Sequence, residues 1–158
     1  MKKPMDLSYL RLRIFSQKKR TIKRRAKKNV PVEWILAPDI VSMLSELVSV
    51  LEMEHVDLTK IKAFRSTGSK AYARARIWAF PRIWQQALNL PPHYVIEVIS
   101  EKFDHLSDND KKRVLIHELM HVPKNFSGSL VSHKGRFHAI NHRTVEKKFS
   151  DYIKNKRI

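Results

Sequence analysis

The segment His117-Glu118-Leu119-Met120-His121 carries the residue types that hydrolytic metal chemistry needs. On a helix, residues four apart stand one turn apart on the same face, so His117 and His121 can share one metal ion. Glu118 follows the first histidine and can act as a base on a water that the metal activates. Zinc brings the pKa of such a water from ~16 towards ~7, which makes hydroxide available near neutral pH. A catalytic zinc normally takes three protein ligands and leaves one position open. Downstream, His133, His138, His142 and Glu146 have the chemistry to be the third. The tight metzincin spacing is excluded, because it requires a glycine and then a histidine where Lys124 and Ser127 stand. His133 leads the candidates: it ends a loop directly before Lys134-Gly135-Arg136-Phe137, where a ligand at a helix N-terminus can swing back onto the metal. His138 and His142, themselves four apart, come second and Glu146 third.

These side chains need elements to hold them. Ser107 with Asp108 and Asp110 supplies a cap and N-terminal carboxylates, so the spacing predicts a helix running to about Val122, before Pro123. Val114, Leu115, Ile116, Leu119 and Met120 turn that helix towards a core. A loop over Lys124–Ser132 leads to a last helix expected near 134–155, with Phe137, Ile140, Val145, Phe149, Tyr152 and Ile153 as its apolar stripe. Upstream, helical spacing runs through 39–54, with Pro38-Asp39 at its start. Ile61–Arg65 reads as a strand, Ser66–Ser69 as a turn and Ala71–Phe80 as a half-exposed alternating strand. Pro81 opens a short helical segment over Arg82–Leu88. Tyr94–Ile99, rich in β-branched residues, reads as another strand. The pattern is α+β: a short, mostly antiparallel sheet beside the His117–His121 helix, with a C-terminal helix.

The 158 residues suffice for one compact domain, read here as 31–158 with Pro31 at its boundary. The absence of cysteine excludes disulfide frameworks, thiol catalysis and thiolate zinc sites. Gly68, Gly128 and Gly135 lie too far apart for a phosphate-binding glycine loop. No apolar run reaches the ~20 residues of a membrane span, and no secretory apolar region follows the basic N-terminus, so a soluble, cytoplasmic chain is expected. The net charge is +17, and it sits at the ends: residues 1–30 carry +11 and residues 133–158 carry +6, while 31–132 balance. Lys18, Lys19, Arg20, Lys23, Arg24, Arg25, Lys27 and Lys28 form a basic arm suited to phosphates, with a solvated tail or a membrane-surface segment as its other readings. No base-reading motif accompanies it, so nucleic-acid binding would be indifferent to sequence.

Val114 to His121, followed by His133-Lys134-Gly135-Arg136-Phe137, resembles SprT-like zinc metallopeptidases. Arg65–Ser69, Ala75–Ile77, Pro81–Trp84, Tyr94–Val98 and Pro123–Gly128 bring the chain closer still to the metallopeptidase family of phages and archaea. The resemblance covers about residues 55–140. It implies a small zincin fold, Zn2+, a peptide or protein substrate, and a third histidine ligand from an HGxxF-like element, which points to His133. The chain departs from that element at Lys134, the glycine coming one place later. Arg136, His138, His142 and Tyr152 are candidate donors to an oxyanion. The function expected is peptide hydrolysis, with recruitment to nucleic acid by the basic ends. The alternative is a non-catalytic nucleic-acid-binding protein with a structural metal.

Overall fold

A computed structural model describes residues 31–134 and 139–156. The basic arm, Gly135, Arg136, Phe137, His138 and the last two residues lie outside the described residues. Strand β1 (Glu33–Leu36) leads into helix α1 (Pro38–Val50), a single 3-10 turn and β2 (Ile61–Thr67). Then follow β3 (Ala75–Ala79), α2 (Arg82–Leu88), β4 (Tyr94–Ile99), a short α3 (Ser100–Phe103), α4 (Asp108–Met120) and α5 (His142–Asn155). The four strands form one sheet in the order β1-β2-β4-β3. β1 pairs antiparallel with β2, β3 antiparallel with β4, and the central β2–β4 pair is parallel. The expected α+β class, with a mostly antiparallel sheet and a C-terminal helix, is the observed one.

Alternation divides the sheet into two faces. Ile61 and Ala63, Ala75 and Ile77, and Tyr94, Ile96 and Val98 join the core with Ile40, Leu44 and Leu47 of α1. Leu115, Ile116 and Leu119 of α4 and Val145, Phe149 and Tyr152 of α5 complete it. α4 packs on β3, and α5 on α4 and α1. The other face leaves Trp34, Leu36 and Trp78 exposed around one deeply buried acid, Glu97, at 1% exposure. Its carboxylate accepts from Arg76 Nε (2.8 Å), Trp78 Nε1 (2.8 Å) and Trp34 Nε1 (3.1 Å). Burial alone would raise its pKa, but these donors hold it below the usual carboxylate range. Side chains of β1 and β3 are thereby tied to the middle of β4.

Several boundaries depart from the sequence expectation. Helical spacing over 39–54 stops at Val50, because Glu52 takes a left-handed φ of 50° and Met53 bonds back to the Val48 carbonyl. The alternating stretch at 71–80 is regular strand only over Ala75–Ala79. The last helix does not begin near residue 134. Lys134 bridges antiparallel to Ala139, and helix starts at His142, where the Asn141 side chain accepts from Thr144 N–H in a capping box. His142 is the first residue of that helix, and His138 lies outside the described residues. β1 has no counterpart in the sequence reading.

Candidate metal centre and active site

α4 begins where its cap was expected, with Ser107 Oγ accepting from Asp110 N–H at 3.2 Å. Its last turn presents His117 and His121 on one side, and the loop that follows returns His133 to them from a turn rather than from a helix N-terminus. Nε2 of His117 lies 3.0 Å from that of His133 and 3.4 Å from that of His121. A tetrahedral centre with zinc–nitrogen bonds of ~2.05 Å requires neighbouring ligand nitrogens about 3.3 Å apart, so this set fits one such ion. The three histidines are able to hold a metal, and they are the only such group among the described residues.

Both helical histidines are biased towards the neutral form a metal requires. Burial, aided by His121 and His133, lowers the pKa of His117 to about 4. Burial also lowers His121, whose Nδ1–H donates to the Val131 carbonyl at 2.6 Å and leaves Nε2 free to coordinate. Val131 N–H returns a bond to the His121 carbonyl at 2.8 Å. The loop is fastened at its other end by Tyr94. That buried hydroxyl accepts from Gly128 N–H (2.8 Å) and donates to the Ser129 carbonyl (3.0 Å), while its ring meets Phe126 edge-on at 5.0 Å. Gly128 sits at φ +79°, where side chains are strained, and a Cβ there would crowd the Phe80 carbonyl at 3.1 Å and displace the Gln85 amide, so the position favours glycine.

Glu118 is 7% exposed, between α4 and β3. Burial raises its pKa to about 7, opposed by a hydrogen bond from the Ile77 N–H. That N–H is free to bond outward because of the strand register. Ile99 N–H donates to the Arg74 carbonyl and Phe80 N–H to the His93 carbonyl, so the even-numbered residues of the segment point their backbone at β4. Ala75, Ile77 and Ala79 therefore turn N–H and C=O to the open edge of the sheet, beside the site. Cavities of about 770 and 540 Å³ adjoin this edge and share His117, Glu118, Ala73 and Ala75 as walls.

The family model described as "Putative phage metallopeptidase" matches residues 32–155. The chain belongs to this family. No curated protein and no solved structure matches it. In this metallopeptidase-family chain, the structure gathers His117, Glu118, His121 and His133 at one place. It sets the other candidates apart. Glu146 accepts from Arg113 Nε at 2.7 Å, and His142 lies 3.9 Å from Glu146; both line the larger cavity without joining the three histidines. Tyr152 is buried with its hydroxyl donating to Glu46 on α1, and it lines neither cavity. Arg136 and His138 lie outside the described residues. The sequence reading missed the Val131 carbonyl and Tyr94. A backbone acceptor has no residue-type signal, and Tyr94 read only as part of an apolar strand. Among the described residues, no helix is long and apolar enough to cross a membrane.

Proposed function

We propose that the protein is a zinc-dependent peptidase in which His117, His121 and His133 hold the ion and Glu118 moves the proton. The observation that carries this reading is the buried Glu118 carboxyl, shifted to about 7, beside three convergent imidazoles and an open strand edge. A zinc ion, when bound, supplies Lewis acidity that makes water acidic and a peptide carbonyl electrophilic. An extended peptide pairs with the outward groups of Ala75 and with the Ile77 carbonyl, which recognise backbone rather than side chains, while the Ile77 N–H stays on Glu118. Glu118 takes the proton of the attacking water on a carboxylate oxygen and gives it to the departing amine nitrogen. A carboxyl placed beside the ligand set can serve as base in the first transfer and as acid in the second. Val131 keeps His121 in the tautomer that presents Nε2.

A metal serving structure alone has no use for a buried, unliganded acid here, which speaks against a non-catalytic binding protein. The excess charge at both ends of the chain supports recruitment of the peptidase to nucleic acid. The test is metal content with peptidase activity for wild type and Glu118→Gln. The variant should keep zinc and lose nearly all hydrolysis; wild-type activity in it would refute the role of Glu118.

A further inference from the structure

Several guanidinium groups stand around the cleft, and most are committed. Arg76 is bound to Glu97 on the far face of the sheet. Arg113 donates to Glu146 and Asp110 and lies 3.9 Å over the Phe149 ring. Those acids are committed in turn, since Asp110 also accepts from Ser107 Oγ and sits in the first turn of α4, where the helix dipole favours its charge. Arg74 differs. Its backbone is fixed by the bond from Ile99 N–H to its carbonyl, while its exposed side chain makes no ion pair among the described residues. It lines the 770 Å³ cavity together with His117 and Glu118. Much of the remaining wall is aliphatic: Ala73, Ala75, Val114 and Val145.

From this we infer that Arg74 is a specificity-determining residue that selects peptides with an acidic side chain, glutamate above aspartate, on the C-terminal side of the cleaved bond. The inference rests on the peptidase reading above. A guanidinium without an ion-pair partner among the described residues matches a carboxylate in geometry and charge, whereas a substrate lysine or arginine entering here would meet Arg74, two acids already paired, Asp110 and Glu146, and Glu118, whose carboxyl the reaction itself occupies. The two methylenes of glutamate lie along the alanine and valine wall. The side of the bond follows from strand direction. Arg74 precedes β3, and the second cavity, lined by Ile77, Leu130 and His133, lies further along it. A peptide added antiparallel brings its C-terminal part to the Arg74 end.

The experiment uses the zinc-loaded full chain. A proteome-derived peptide library, cleaved and read by mass spectrometry, should show glutamate enriched C-terminal to the cut. Matched synthetic peptides carrying Glu, Gln or Lys at that position should differ in kcat/KM, Glu exceeding Gln about tenfold, as expected of one charge-assisted hydrogen bond at a wet site. Arg74→Ala should bring the Glu/Gln ratio of kcat/KM close to one, and Arg74→Glu should turn the preference to Lys. Cleavage with no acidic preference, a preference only on the N-terminal side, or one that survives Arg74→Ala overturns the inference and leaves the peptidase reading standing. Failure to cleave any peptide overturns both.

Discussion

Replacing Glu118 with glutamine should stabilise the metal-free protein increasingly as pH rises above about 4.5, and fully above pH 7. Burial raises the folded-state pKa of Glu118 from 4.5 to about 7. Between those values the folded chain retains a proton that the unfolded chain has released. A fold that binds more protons than the unfolded chain loses stability as pH rises. The penalty is absent below about pH 4.5, grows through the interval and is complete above pH 7. Its full size is about 3 kcal/mol, from 1.36 kcal/mol for each pKa unit. Glutamine carries no such penalty and occupies nearly the same volume. Urea denaturation in EDTA, followed by circular dichroism from pH 4 to pH 8, should give curves that coincide at pH 4 and separate in favour of Glu118→Gln above pH 7. His117, with its pKa lowered to about 4, loses stability in the opposite direction, as pH falls below 6.5, but it is present in both proteins and cancels in the difference. Zinc should shrink the separation, because a nearby cation favours the carboxylate. A stability difference that stays constant across pH 4–8 would refute the argument that burial governs this carboxyl.

The other predictions concern the ligands, their support and the ends of the chain. His133→Ala should weaken zinc binding in a chelator competition as His117→Ala and His121→Ala do, whereas His142→Ala should not; equal affinity of wild type and His133→Ala would remove it from the ligand set. Tyr94→Phe deletes the bonds to Gly128 and Ser129, so it should cost about 1–3 kcal/mol in urea denaturation and also weaken zinc binding. Unchanged zinc affinity in that variant would mean that the loop holds its shape without the hydroxyl. Deleting residues 1–30 should lower affinity for DNA or RNA and flatten its salt dependence, while metal binding and peptide cleavage persist. Identical salt titrations for both chains would leave the arm a solvated tail.

Residue type and short-range spacing made much of the site legible. The i, i+4 histidines with an acid between them need only a helix, and Ser107 with its acidic first turn favours one locally. The strands at Ile61 and Tyr94 announce themselves by β-branched and aromatic residues, and α2 was expected over Arg82–Leu88, the span it occupies. β1 carries no strand signal of its own, because Glu33–Leu36 is short, flanked by prolines and exposed along its whole length. Such a segment is a strand only because the edge of β2 offers it partners. The apolar repeat continues upstream of α5, so spacing alone sets the helix start too early, and the Asn141–Thr144 capping box decides where helix begins.

Local chemistry in the sequence by itself determined the HExxH helix, the absence of thiolate chemistry and the concentration of positive charge at the ends. Long-range packing decided the rest. The parallel pairing of β2 with β4 leaves β3 at the edge, and its register turns the Ile77 N–H towards Glu118. Tyr94 fastens a loop more than thirty residues away in the chain, and that loop fixes the tautomer of His121 and brings His133 back to the helix. Burial of Glu118 is likewise collective, since it requires α4 to lie against β3. Spacing reports which residues lie within one turn of each other. Desolvation, register and loop closure depend on groups distant in sequence, so they exist only once the chain has folded.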